Sequence, residues 1–141
     1  MKAFLDTSSL IKLYHQEEGS DFVMEVLSND VVEIFLSELA VLEFRAALWK
    51  KIREKEIEEK VAIEVIKCFQ NDVNNFQWIL LQSDLVESAS YLLMKYGSHG
   101  LRTLDSLQLA TALTLREEKC IFLTSDKLLR TLFIEERLTV L

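Results

Sequence analysis

The sequence predicts an α/β fold in which a parallel sheet carries helices on both faces. Strand-like and helix-like segments alternate along the whole of its 141 residues, the pattern that βα units produce. Cys120 to Thr124 is a nearly uninterrupted apolar segment, of the kind buried on both faces of a parallel sheet. Two acids, Asp6 and Asp126, directly follow strand-like segments, and open parallel sheets bind ligands at the carboxyl edge of their strands.

Lys2 to Leu5 reads as a first strand that stops at Asp6, and Asp6-Thr7-Ser8-Ser9 supplies helix-capping side chains before the turn Leu10 to Tyr14. Gly19-Ser20 breaks the chain, and Phe22, Val23, Val26 and Leu27 recur at helical spacing before a turn at Asn29-Asp30. A strand over Glu33 to Leu36 follows, with Ser37 placed to cap a helix from Glu38 to Ile52. A second amphipathic helix, Ile57 to Val73, repeats apolar residues every four positions. Phe76 to Leu81 reads as a strand. Ser83 caps a helix carrying Leu85, Ala89, Leu92 and Tyr96, which Gly97 ends before the loop Ser98-His99-Gly100. Thr103 to Arg116 is helical, Cys120 to Thr124 is a strand, and a short helix after Asp126 leads to a last strand near Thr139-Val140.

The length suits one domain spanning residues 1–141 with a substantial core. No apolar run exceeds four residues, so neither a membrane span nor a signal-peptide core is expected, and the chain reads as soluble and cytoplasmic. Cys68 and Cys120 lack metal-ligand spacing and sit among apolar neighbours, which predicts buried, reduced thiols. The net charge of −7 argues against a nucleic-acid partner. Its distribution argues the other way: Arg45, Lys50, Lys51, Arg53 and Lys55 stand against Glu54 alone. That cluster suits either a phosphate backbone or a solvated helix end complementing the helix dipole.

Four acids, Asp6, Glu43, Asp105 and Asp126, are the strongest functional signal. Capping would account for Asp6 and Asp126, and the helix dipole for Asp105, near the start of its helix. Glu43 resists such readings, because its helical neighbours are Leu39, Ala40, Ala46 and Ala47, and a carboxylate on an apolar face needs a cation or a polar cavity. Four carboxylates converging at about 5 Å would repel by roughly 3 kcal/mol per pair at an effective dielectric constant of 20. A hard divalent ion relieves that repulsion. Magnesium or manganese suits oxygen ligands better than zinc, since neither His15 nor His99 lies at a ligand spacing.

The ordered segments Phe4-Leu-Asp6-Thr-Ser8, Leu36-Ser37 with Glu43, Asp105-Ser-Leu-Gln-Leu-Ala-Thr-Ala112 and Leu123-Thr-Ser-Asp126 resemble the PIN-domain ribonucleases, and among them the VapC-like toxins of toxin–antitoxin pairs. The resemblance covers almost the whole chain. It implies a three-layer α/β/α sandwich with a central, mainly parallel sheet, and a pocket where Asp6, Glu43, Asp105 and Asp126 are both catalytic residues and ligands to one or two Mg2+ or Mn2+ ions. Ser8 and Thr124 match small polar positions lining that pocket. The third segment departs mildly, with Ser106 after the acid and Gln108 where a histidine is common.

The resemblance further implies endonucleolytic hydrolysis of RNA by a metal-activated water, leaving 5′ phosphates, in a homodimer restrained by an antitoxin. Arg45, Lys50, Lys51, Arg53 and Arg102 are then the candidates for RNA contact. A PIN-fold processing nuclease without an antitoxin, or a catalytically silent RNA- or metal-binding module, are the alternatives. A phosphatase is disfavoured because Ser8 replaces the second acid of Asp-x-Asp, and a receiver domain because no acid adjoins Asp6.

Overall fold

The computed structural model describes every residue from Met1 to Leu141. Strands β1 (Lys2–Leu5), β2 (Glu33–Ser37), β3 (Gln77–Ile79) and β4 (Cys120–Leu123) form one sheet in the order β3-β2-β1-β4, with every pairing parallel. The expected last strand is reduced to a single parallel bridge between Val140 and Phe122. The seven α-helices are α1 (Thr7–Leu10), α2 (Ser20–Ser28), α3 (Ala40–Arg53), α4 (Glu59–Asp72), α5 (Ser83–Tyr96), α6 (Thr103–Leu113) and α7 (Lys127–Glu135).

Side-chain alternation along β1 and β4 divides the interior into two cores. Ala3, Leu5, Ile121 and Leu123 face α1 to α4, where they meet Leu10, Val23, Phe44, Leu48 and Phe69. Phe4, Cys120 and Phe122 face α5 to α7, packing with Leu92, Leu109, Leu129 and Phe133. The strands are apolar on both faces because helices cover both, as the Cys120–Leu123 segment predicted. The result is the expected three-layer α/β/α sandwich, with a sheet that is wholly rather than mainly parallel.

Several boundaries differ from those read off the sequence, each for a local reason. Helix α3 starts at Ala40 rather than Glu38, whose amide extends the β2–β3 pairing by donating to the Ile79 carbonyl at 2.9 Å. Strand β3 is shorter than Phe76–Leu81, since β2 ends at Ser37 and the Leu81 amide turns to Glu38 Oε2 at 2.8 Å. Gly97 keeps a right-handed φ of −56° and starts a 3-10 turn over Gly97–His99 in place of the expected loop; the left-handed residue is Gly100, at φ 84°.

Helix α4 buries Ala62, Val65 and Phe69, spaced by three and four. The strict four-residue repeat expected of it drifts around the helix, so Val61 is left exposed. Cys68 lies on that outer side and is exposed, contrary to expectation, while Cys120 is buried and free as expected.

Phe69 is 1% exposed and its ring meets those of Tyr14, Phe44, Phe76 and Trp78. Phe69→Ala is expected to cost about 3–5 kcal/mol of folding free energy, read as a lowered urea midpoint.

Candidate functional site

The chain runs outward from β1 to β2 and β3, then returns to place β4 on the other side of β1. Strand order therefore reverses between β1 and β4, and a crevice opens beyond their carboxyl ends, the usual ligand position in such sheets. Leu5 pairs with Leu123, so Asp6 and Thr124 emerge side by side at this point.

Asp6 is 3% exposed. Its Oδ1 caps α1 by accepting from the Ser9 amide at 3.0 Å, and Thr124 Oγ1 donates to Oδ2 at 2.6 Å. The single Ser8 hydroxyl hydrogen is shared by both oxygens, at 2.7 and 2.9 Å, and Ser8 Oγ in turn accepts from the Ser125 amide at 2.8 Å. Burial drives the Asp6 carboxyl up from 3.8 to about 6; the bonds from Thr124, Ser8 and Ser9 oppose the rise without cancelling it, and the charge of Glu43 adds to it. Capping and site geometry thus coexist in one side chain.

Glu43 leaves the first turn of α3 at the edge of its buried face, where Ala40, Phe44 and Leu48 form the core side. Ala46 and Ala47 line the open groove beside it instead of burying it. Its Oε1 accepts from Thr7 Oγ1 at 3.0 Å and from Gln108 Nε2 at 2.7 Å. Desolvation raises its pKa above the usual carboxylate value, Asp105 contributes to the rise, and the two donors moderate it. The sequence does not mark Thr7 or Gln108 as site residues. A polar residue three positions after Asp105 on an otherwise buried helix face is the signal that could have found Gln108.

Asp105 is half-buried near the start of α6. Desolvation and then the charge of Asp126 raise its pKa, while Arg102, at 3.7 Å, draws it down. Asp126 caps α7, accepting from the Leu129 amide at 2.7 Å, and its own amide donates to Thr124 Oγ1 at 3.1 Å.

The four acids therefore form a series in which the charge of Glu43 makes Asp6 harder to ionise, that of Asp105 does the same to Glu43, and that of Asp126 to Asp105. They do not knot tightly around one point, as the sequence suggested. No group of three or more Asp, Glu, His or Cys side chains stands close enough to hold an ion between them. The donor set still fits a hard cation. It offers only oxygens, three of its carboxyls are held above their ordinary pKa values, and magnesium typically uses one or two carboxylates with water completing its shell.

A groove of about 590 Å³ extends from Thr7, Ser8, Glu43 and Ser125 towards Lys50, Lys51, Arg53 and Arg102. Lys51 is committed to Glu17 at 2.7 Å and Glu56 at 3.3 Å, and Lys12 also pairs with Glu17 at 3.2 Å. Arg45 does not line the groove; its guanidinium bonds the Val41 carbonyl at 2.8 Å. Lys50, Arg53 and Arg102 are the exposed cations along this wall.

An α/β/α sandwich with a carboxylate series at the switch point of an all-parallel sheet defines a small class of proteins. Within it, the PIN-domain family model matches residues 3–132. The chain belongs to the PIN-domain family. No curated protein sequence matches it. Among solved structures it is similar to Mycobacterium tuberculosis VapC20, a sarcin-ricin loop cleaving toxin, at 14% identity and TM-score 0.69 over 92% of this chain and 94% of that one. It is also similar to a chain of Neisseria gonorrhoeae FitAcB, at 14% identity and TM-score 0.71 over 98% and 95%. A third likeness is to Rickettsia felis VapBC2 bound to promoter DNA, at 12% identity and TM-score 0.63 over 100% and 98%. At such identities these likenesses establish the fold.

Because the folded protein holds the Asp6 proton more tightly than the unfolded chain does, this carboxyl's contribution to stability is complete below pH 3.8 and is lost as pH rises through about 6. A shift of that size corresponds to about 3 kcal/mol, partly offset in an amide by weaker hydrogen bonds. Asp6→Asn should therefore stabilise the metal-free protein by about 1–2 kcal/mol at pH 7.5 and give no gain at pH 3.5, as measured by denaturation in EDTA. A variant no more stable than its parent at pH 7.5 would contradict the buried-charge account.

Proposed function

We propose that this PIN domain, acting as one unit over residues 1–141, is a divalent-metal-dependent endoribonuclease and the toxin of a toxin–antitoxin pair in the cytoplasm. The observation that carries the reading is the Asp6–Glu43–Asp105–Asp126 series, whose member Glu43 borders a groove lined by Lys50, Arg53 and Arg102. Asp6, Glu43, Asp105 and Asp126 would hold one or two Mg2+ or Mn2+ ions. Such an ion supplies an activated water and charge neutralisation for phosphodiester hydrolysis.

The chain's own residues bind and orient. Ser8 and Thr124 keep both Asp6 oxygens in place by direct donation, so the deepest carboxylate cannot rotate. Thr7 and Gln108 restrain Glu43. Asp105 and Asp126 stand at the exposed end of the series, where either can accept a hydrogen bond from an attacking water. Lys50 and Arg53 are placed to meet a phosphate backbone along the groove, and Arg102 to meet it beside Asp105. Lys51, occupied by Glu17 and Glu56, shapes the wall, and Arg45 lies off it.

An antitoxin and a homodimer partner belong to the same proposal. Solved structures of similar fold include a toxin–antitoxin complex from Klebsiella pneumoniae. Helices α3 and α4 send Phe44, Leu48, Ala62, Val65 and Phe69 into the core, yet leave Leu42, Trp49, Val61 and Ile63 exposed on their outer sides. Those outer side chains suit a covering protein. No helix is long and apolar enough to cross a membrane.

Purified protein should cleave RNA with Mg2+ or Mn2+ and lose that activity in EDTA, and Asp6→Asn and Asp105→Asn should fall to background. Undiminished cleavage under any of these conditions would remove the metal-nuclease reading. Joint Lys50→Glu and Arg53→Glu substitution should lessen the salt dependence of single-stranded RNA binding by about 0.7 in log–log slope for each phosphate no longer neutralised, measured by titration at several salt concentrations. An unchanged slope would return both residues to a solvated helix end.

A further inference from the structure

Gln108 is 2% exposed on α6, where it is flanked by the buried Leu109, Ala110 and Ala112. Its Nε2 donates to Glu43 Oε1 at 2.7 Å and to Thr7 Oγ1 at 3.3 Å, and Thr7 Oγ1 donates to the same Glu43 oxygen at 3.0 Å. Three helices, α1, α3 and α6, are thereby closed into one small ring of hydrogen bonds. The other end of the amide, Oε1, is buried and accepts nothing.

That unmet acceptor shows what fixes the amide. Turned end for end, Gln108 would set its carbonyl oxygen against a carboxylate oxygen, with no hydrogen between two acceptors. With Nε2 on Glu43, the clash is removed and Oε1 is left without a donor in the core, where an unpaired acceptor is unfavourable. The orientation is thus set by Glu43 and not by the surroundings of Oε1. Both donors converge on Glu43 Oε1, while Oε2 takes no hydrogen bond from the protein. Glu43 itself borders the groove.

We propose that Gln108 and Thr7 are positioning residues that tie up Glu43 Oε1, so that Glu43 offers a divalent cation one oxygen, Oε2, and not two. This rests on the metal-centre reading above and adds selectivity to it. Calcium is larger and readily takes a glutamate through both oxygens, whereas magnesium and manganese favour compact octahedral shells in which a carboxylate contributes one. Holding Oε1 therefore favours the smaller ions. Releasing it allows Glu43 to chelate.

Calorimetric titration of Mn2+ and of Ca2+ into the whole protein tests this, comparing the parent with Gln108→Leu, Thr7→Val and Thr7→Ser. Loss of an outer hydrogen-bond partner typically weakens metal binding by roughly 10–100-fold. Gln108→Leu and Thr7→Val are accordingly expected to weaken Mn2+ binding by about ten-fold while leaving Ca2+ binding unchanged or tighter, and Thr7→Ser, which keeps the hydroxyl, should retain the parent's preference. Thr7→Val preserves shape, so it serves if Gln108→Leu does not fold, as judged by melting in EDTA. Folded variants that keep the parent's Mn2+ affinity would overturn the positioning role, and equal losses of Mn2+ and Ca2+ would overturn the one-oxygen presentation. A parent that binds no Mn2+ at all would instead overturn the metal centre, and this inference with it.

Discussion

A carboxylate buried at the carboxyl edge of a sheet must be solvated by the protein, and Asp6 imposes that demand where β1 and β4 end. Its bonds to Ser8, Ser9 and Thr124 link the first turn of the chain to a segment more than a hundred residues later. Thr124 then passes the constraint to the Asp126 amide, and Ser8 passes it to Ser125. The depth, spacing and orientation of the rest of the site follow from that junction. The hydrogen bonds fall short of bulk-water solvation, which is why the Asp6 carboxyl titrates near 6. The deficit is what a bound cation would make good.

The two apolar cores hold the junction steady without taking part in it. On one side, Phe44 and Phe69 stack at 4.3 Å between ring centres, anchoring α3 and with it Glu43. On the other, Phe4, Phe122 and Phe133 meet at 5.9–6.4 Å and anchor β4 against α7, whose cap is Asp126. Close packing of this kind transmits little displacement. Each carboxylate is therefore carried on a rigid element that the core locates. Charge along the groove is mixed: Glu43 lies at its inner end, Glu17 neutralises Lys12 and Lys51, and Glu54 and Glu56 share the wall with Lys50, Arg53 and Arg102. A net charge of −7 is compatible with that local arrangement.

Much of this is legible in the chain. Alternation of strand and helix, the apolar Cys120–Leu123 segment and the acids after two strands point to a parallel sheet with a site at its carboxyl edge. What is not legible depends on partners distant in sequence. Cys68 has apolar neighbours that suggest burial, but one residue's rotation on α4 puts Phe69 inside and Cys68 outside. Arg45 belongs to the basic cluster by position, yet helical rotation turns it from the groove that Lys50 and Arg53 line. Gln108 reads as no more than a mild departure in the third segment, since nothing local reveals that its amide meets a glutamate 65 residues earlier.

The sequence by itself determined the layers and the identity of the acids, because hydrophobic periodicity and residue type are local properties that each short segment carries. Only the tertiary structure decided how near those acids stand to one another and which oxygen of each remains free. The four are a series along the sheet edge and not a tight cluster, with Glu43 held at Oε1 by Thr7 and Gln108 and Asp6 held at both oxygens. Distance and hydrogen-bond geometry between groups far apart in the chain are set by strand order, register and helix packing. No single segment encodes them.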